Sequence, residues 1–306
     1  MTVMTQNGAA SGAPFFEENG RQYGTFRRGR YLFPIDEEEK ERLDCFHAVI
    51  HAARRHRHWD RPVPDGARVL DLGTGTGIWA IDASDALWKS TENHGQILGL
   101  DLAYIQPATV PSTVEFRQQD IEEPWQLSPN EFDMVHIQML LGSIRDWTEL
   151  YRKAFRHLKP GGSIEHIEIE FKFFSDDNSV PPDASMHIWS NTLHRAMHAA
   201  GVPMDITERT KQDLRAAGFV DITESVINLP VSPWGKDPHD IFLGRAFNHG
   251  LTSALEAMSM APFTRIERWP AQDVARLNTA VKKELCMLRH HAYCRLFIWT
   301  AQKPNA

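Results

Sequence analysis

The chain reads as an α/β fold. It predicts a doubly wound, seven-stranded, mostly parallel sheet, with an N-terminal helical arm and a helical lid inserted between the last two strands. Three observations carry this reading. Short apolar runs alternate with amphipathic helical patterns from about residue 67 onward, the pattern of a mostly parallel sheet. A glycine-rich turn, Val69-Leu70-Asp71-Leu72-Gly73-Thr74-Gly75-Thr76-Gly77-Ile78-Trp79-Ala80, joins the first strand to the first helix of that series. About 65 residues separate the last two strands, too long for a plain connection.

The elements follow in order. Met1 to Ala13 are small and polar, without the basic-plus-apolar pattern of a secretion signal, so residues 1–14 are expected to be a disordered tail. Residues 15–62 form an arm and a helix. Phe15, Phe16, Tyr23, Phe26, Arg27, Arg28, Arg30, Tyr31 and Phe33 are too aromatic for a bland loop, and Gly20, Gly24 and Gly29 interrupt any regular period. The segment reads as an ordered arm packed over something. Asp36 with Glu39 has capping-box spacing, and Leu43, Phe46, Val49 and Ile50 give the following helix an apolar face as far as about His58.

Residues 63–306 form the α/β domain. Strands are expected at 67–72, 96–101, 113–117, 132–137, 162–170, 219–227 and 292–301. Helices are expected at 77–89, 146–157, 184–200 and 206–217, and the Lys159-Pro160-Gly161-Gly162 turn ends one helix and starts the next strand. The lid, about 230–291, holds two further helical patterns near 237–258 and 270–289. In it, Met258, Met260 and Met287 with Phe263 read as lid core rather than a substrate pocket.

Composition narrows the function. The 306 residues are 42% hydrophobic and 24% charged, as in ordinary globular proteins. A net charge of -7 argues against a basic nucleic-acid surface. No run approaches the ~18 apolar residues of a membrane span. Cys45, Cys286 and Cys294 are odd in number and lack a C-x-x-C, which fits a reducing compartment, cytoplasmic or nuclear, without a disulfide framework.

The glycine turn has the form D-x-G-x-G-x-G. The dinucleotide fingerprint is G-x-G-x-x-G, with its third glycine one position later. This register argues against a nicotinamide-dependent oxidoreductase. It resembles the S-adenosyl-L-methionine (SAM) loop of class I, Rossmann-like methyltransferases. The resemblance implies that Asp71, Gly73, Thr74, Gly75 and Gly77 shape the methionine pocket. Asp101 and Leu102, closing the second strand, would hold the ribose, because an acid at that strand end accepts from sugar hydroxyls. The gap from the glycine loop is long, and Thr91 to Gly95 reads as a polar insertion that explains it. Asp120 and Ile121, after the third strand, would meet the adenine, and Tyr23 or Tyr31 of the arm the carboxylate. The reaction implied is in-line displacement at the methyl carbon.

Strand-end logic places His136, Gln138 and Met139 near the sulfonium. His136 is either a wall of the cofactor pocket or a general base. Strand five, Ser163-Ile164-Glu165-His166-Ile167-Glu168-Ile169-Glu170, carries more ionisable groups than a buried strand should. His166 and Glu168 share one face and Glu165 takes the other. His166 and Glu168 are candidate bases. His47, His51, His56 and His58 suggest a metal, but no carboxylate or Cys completes a site by spacing, and Arg54, Arg55 and Arg57 flank it. A solvated basic helix end is the favoured reading, and no metal is expected.

A second resemblance is more specific and runs from about residue 20 to the C-terminus. Tyr31-Leu32-Phe33-Pro34-Ile35-Asp36-Glu37-Glu38-Glu39 with Arg42-Leu43-Asp44 resembles the N-terminal signature of fungal LaeA-like methyltransferases. So do Leu98-Gly99-Leu100-Asp101-Leu102 with Gln106-Pro107, Glu122-Glu123-Pro124-Trp125, Leu158-Lys159-Pro160-Gly161-Gly162 and Ala261-Pro262-Phe263-Thr264-Arg265. The resemblance implies SAM as cofactor and a link to fungal secondary metabolism. Some members are nuclear regulators that bind velvet-domain proteins; others are tailoring enzymes. A small-molecule acceptor is the expectation, with a regulator in a velvet-type complex as the alternative.

Overall fold

The computed structural model describes residues 13–87 and 94–305. The expected disordered tail falls almost wholly outside those residues. So do most of the expected polar insertion and residues 88–89 of the expected 77–89 helix.

The main sheet has seven strands in the order β5-β4-β3-β6-β7-β9-β8. They are β3 (Arg68–Leu72), β4 (Gln96–Asp101), β5 (Val114–Gln118), β6 (Phe132–Gln138), β7 (Leu158–Phe174), β8 (Val220–Pro230) and β9 (Tyr293–Gln302). Strands β3 to β7 pair in parallel, and β9 runs antiparallel between β7 and β8. β3 has β4 on one side and β6 on the other, so the winding reverses there. Ligands of open α/β sheets bind outside the carboxyl ends of strands at such a point.

The helices are α1 (Glu37–Ala53), α2 (Ile78–Leu87), α3 (Trp147–His157), α4 (Ser185–Ala199), α5 (Thr210–Ala216), α6 (Pro238–Ala261) and α7 (Ala271–Leu285). The Asp36 side chain caps α1 by accepting from the Glu39 N–H, as its spacing predicts. The helix stops earlier than expected. Arg55 and His56 both take positive φ, 52° and 60°, and fold the chain back on itself. α1 packs between the sheet and α6 through Phe46, whose ring lies 5.9 Å from Phe171 and 6.1 Å from Phe247.

Two findings change the expected picture. The arm begins with a β-hairpin, β1 (Phe15–Glu18) and β2 (Arg21–Gly24), turning through Asn19 and Gly20 at φ 50° and 79°. Asn-Gly between apolar runs is the usual two-residue hairpin turn. The β8–β9 insertion packs on α1 and α4. Met258, Met260 and Phe263 lie in its buried core, as expected, whereas Met287 is only half-buried and lies outside it. Its short π-helical turn, Pro262–Ile266, grips the hairpin through Arg265. The Arg265 guanidinium lies 4.3 Å from the centroid of the Tyr23 ring and 3.0 Å from the Glu18 carboxylate.

Candidate active site

A cavity of about 1420 Å³ opens at the carboxyl ends of β3, β4, β5 and β6. Ligand pockets usually measure about 300–1,000 Å³, so this one has room for two molecules. The hairpin–α1 connection covers it with Arg27, Arg30 and Tyr31. Among the described residues, no side chain of the β8–β9 insertion lines it. The expectation that this lid caps the acceptor space is therefore not met; the insertion instead holds the hairpin that leads into the covering segment.

The glycine loop is built to lie against a ligand. Gly73, Gly75 and Gly77 have φ of 70°, 58° and 81°, a region that side chains strain to enter. Gly73 and Gly75 line the cavity. Gly77 does not; a Cβ there would collide with the Phe116 ring, so this glycine lets α2 approach the sheet. The loop is locked from several sides. The Gly75 N–H donates to Asp101 Oδ2 at 2.8 Å, Gln106 Nε2 donates to the Gly75 carbonyl at 2.6 Å, and Thr76 Oγ1 donates to Asp44 Oδ1 of α1 at 2.5 Å.

Asp71 is fully engaged. Thr74 Oγ1 donates to its Oδ2 at 2.5 Å, and His136 Nδ1 lies 2.8 Å from its Oδ1. A carboxylate only accepts, so the proton of His136 sits on Nδ1. The His136 ring stacks on Trp79 with centroids 3.5 Å apart and planes 4° apart. Burial lowers the His136 pKa against the pull of Asp71, which keeps the imidazole neutral. Its Nε2 is buried without a partner. His136 is thus a cavity wall with one lone pair to spare.

Asp101 accepts from the Gly75 and Ala103 N–H groups. Burial nonetheless pushes its carboxyl up to about 6. Asp120 accepts from the Glu122 N–H at 3.0 Å and from Arg30 Nε at 3.1 Å. The arm therefore closes on the acid expected at the adenine. Lys153 braces the same wall by donating to the carbonyls of Ile121, Glu122 and Glu123 at 3.0, 2.5 and 3.1 Å.

Of the residues the sequence singled out, Tyr31, Asp71, Gly73, Thr74, Gly75, Asp101, Leu102, Asp120, Ile121 and His136 meet around this one cavity. Four do not. Gly77 is a packing residue. Tyr23 is buried under Arg265 and stacked on Phe16, outside the cavity. His166 and Glu168 do share a face, but it is an interior one. The Tyr151 hydroxyl lies 2.8 Å from His166 Nδ1, and His166 Nε2 lies 2.9 Å from Glu168 Oε1. Glu168 also accepts from the N–H groups of Leu140 and Leu141 at 2.8 and 3.3 Å. Both residues are fully buried and neither lines the cavity. Every polar atom of the pair has a partner, so the candidate bases are a brace for the loop after β6. Glu165, on the other face, accepts from Arg54 at 2.8 Å and from the Asp60 N–H at 2.8 Å.

Arg30, Trp79 and Lys153 were absent from the sequence reading of the site. Arg30 stood in the aromatic–basic arm without a partner to assign it, and Trp79 and Lys153 act through contacts between elements that spacing does not encode. Gln106 was visible only as part of a family motif.

An acid-led glycine loop and a second acid at the next strand end, on this sheet order, define a class I methyltransferase. The Methyltransferase domain profile matches residues 36–224. The chain is 44% identical over 311 residues to "Secondary metabolism regulator LAE1" of Cochliobolus heterostrophus, covering 99% of this chain and 100% of that one. It is 40% identical over 293 residues to "Protein-methionine methyltransferase laeA" of Emericella nidulans, covering 95% and 77%. A solved phosphoethanolamine N-methyltransferase 2 of Haemonchus contortus, in complex with SAM, shares the fold at a TM-score of 0.50 and 20% identity, covering 85% of this chain and 53% of that one. The chain belongs to the LaeA family of SAM-dependent methyltransferases of fungal secondary metabolism. The cavity fits SAM: its loop glycines bare their backbone, and its acids stand at two successive strand ends.

Proposed function

We propose that this methyltransferase regulates secondary metabolism by methylating a thioether, with a protein methionine as acceptor. The observation that carries this reading is Met139. It is the one methionine among the described lining residues, and it stands just past the end of β6 at φ 59°. A non-glycine residue with positive φ is uncommon and held at some cost, a feature concentrated at functional sites. The name of the Emericella nidulans relative prints the same acceptor chemistry.

SAM, when bound, supplies the methyl group. Asp101 accepts from the ribose hydroxyls, Asp120 and the backbone at Ile121 meet the adenine, and the Gly73–Gly75 backbone lies against the methionine portion. His136 fixes Asp71 and walls the methyl side. Tyr31 and Arg30 cover the site and exclude water. A thioether carries no proton, so its methylation needs no base. That agrees with His166 and Glu168 lying away from the cavity.

A second reading keeps a small-molecule acceptor, favoured by a cavity larger than one ligand fills. In the regulatory reading the protein works in the nucleus with a velvet-type partner. The test is transfer of labelled methyl from SAM in an extract of the source cells, with protein and small molecules separated before counting. Label in protein, with the added mass on a methionine, supports the first reading. Label only among small molecules overturns it in favour of the second.

A further inference from the structure

The histidines at the end of α1 gain in three dimensions the carboxylate they lack in sequence. His47 and His51 lie four residues apart on α1, and α2 brings Asp82 to them. His47 Nε2 lies 3.0 Å from Asp82 Oδ2. One ligand atom from each of the three lies within 4.8 Å of the others. The doubled-back chain at Arg55 and His56 returns His58, whose ring lies 4.8 Å from that of His51. His47 is 4% exposed, and its Nδ1, His51 Nε2 and His58 Nδ1 are all buried without partners. Buried polar atoms normally find partners. The orphaned His51 Nε2 and His58 Nδ1, beside the His47 Nε2–Asp82 contact, ask for something to fill the space between the rings.

Two of the three flanking arginines are paired with acids. Arg54 turns inward to Glu165 at 2.8 Å and Asp60 at 3.1 Å, and Arg57 reaches Asp60 at 3.5 Å. Imidazole and carboxylate donors together suit divalent first-row transition ions, and a tetrahedral zinc site has metal–nitrogen distances of about 2.0–2.1 Å.

We propose that His47, His51 and Asp82 bind one divalent transition-metal ion such as Zn²⁺, with His58 as a fourth ligand. The ion links α1 to α2. Because His47 also lines the cofactor cavity, it fixes the wall against which the glycine loop is set. The site stands whatever the methyl acceptor is.

The test is calorimetric titration of the full chain, stripped with chelator, with ZnCl₂, alongside visible absorption after Co²⁺ loading. One equivalent is expected to bind, with Co²⁺ bands of a tetrahedral nitrogen–oxygen site. Asp82→Asn and His51→Gln are each expected to weaken binding by about tenfold or more, since even residues behind the ligands cost 10–100-fold. Cys286→Ser, at an exposed position, is expected to leave it unchanged. Circular dichroism confirms that each variant is folded. Failure of the folded wild-type chain to bind either ion, or equal affinity in the Asp82→Asn and His51→Gln proteins, overturns the proposal. Both outcomes are independent of methyl transfer.

Discussion

Arg30 Nε donates to Asp120 Oδ2 at 3.1 Å across 90 positions of sequence. The bond ties the N-terminal arm to the far wall of the cofactor cavity. Arg30 also lies 3.6 Å from Glu122, whose backbone N–H holds the other Asp120 oxygen. One guanidinium thus connects the covering segment to the loop beyond β5.

Arg30→Ala is expected to loosen that cover without unfolding the protein. Partly exposed ion pairs contribute little to stability, about 0–1 kcal/mol, so the melting temperature should barely move. The dissociation rate of SAM should rise about tenfold, equivalent to 1.4 kcal/mol, because the arm no longer rests on Asp120. Stopped-flow displacement of SAM measures it. A rate equal to the wild type would show that the latch does not hold the cofactor.

Asp101 sets a pH dependence. Burial raises its carboxyl from 3.8 to about 6. The folded protein therefore keeps this proton between about pH 4 and 6, where the unfolded chain has released it, and the group's contribution to stability falls as pH rises through that window. In the proposed SAM pose the ribose hydroxyls need the Asp101 carboxylate as acceptor, so affinity runs the other way and weakens as pH falls through 6. The dissociation constant of SAM should rise about fivefold between pH 6 and pH 5. Asp101→Asn should bind weakly at all pH values and lose the step. Calorimetry at four pH values checks both; a step that persists in Asp101→Asn assigns it to another group.

The legible parts of this protein were those written locally. The glycine register, the acids at the ends of β3 and β4, the Asp36 cap and the strand–helix alternation each occupy a few consecutive residues, and the structure brings most of the candidate cofactor residues to one cavity. Period-two alternation also put His166 and Glu168 on one face correctly. It could not say that the face is packed against Tyr151, Trp147 and Trp299, because that depends on α3 and β9. The Asn19-Gly20 turn was legible, yet the surrounding glycines and arginines masked it. Asp82 was not legible at all, since only the packing of α2 on α1 brings it to His47.

Glu168→Gln separates positioning from catalysis. The carboxylate accepts from two backbone N–H groups and from His166 in a fully buried site. An amide places one NH₂ against donors, so a loss of about 3–5 kcal/mol is expected from breaking the buried set. Leu140 should shift, and SAM affinity with it. Because Glu168 does not line the cavity, the pH profile of kcat should keep its shape in the folded variant. Denaturant unfolding and a pH–rate series make the two measurements; a profile that loses a limb would return Glu168 to the chemistry.

Arg265→Ala tests whether the β8–β9 insertion acts on the cavity through the hairpin. The guanidinium stacks over Tyr23, lies 5.5 Å from the Phe16 ring centroid and pairs with Glu18. Cation–π contacts give about 0.5–2 kcal/mol each, and this side chain makes two on one small hairpin. An isolated two-stranded hairpin is marginal in water, so β1 and β2 depend on what they lean against. Arg265→Ala should therefore free the hairpin while α6 and α7, whose buried apolar faces do not involve it, stay folded. Proteolysis within residues 13–30 should accelerate about tenfold, with global unfolding changed by less than about 1 kcal/mol. SAM should weaken in the same proportion as in Arg30→Ala, since both variants release one covering segment. The double variant should then add little to either single one, because residues acting on one element are not additive. Fully additive losses in SAM affinity would mean that the insertion and the arm reach the cofactor by separate routes.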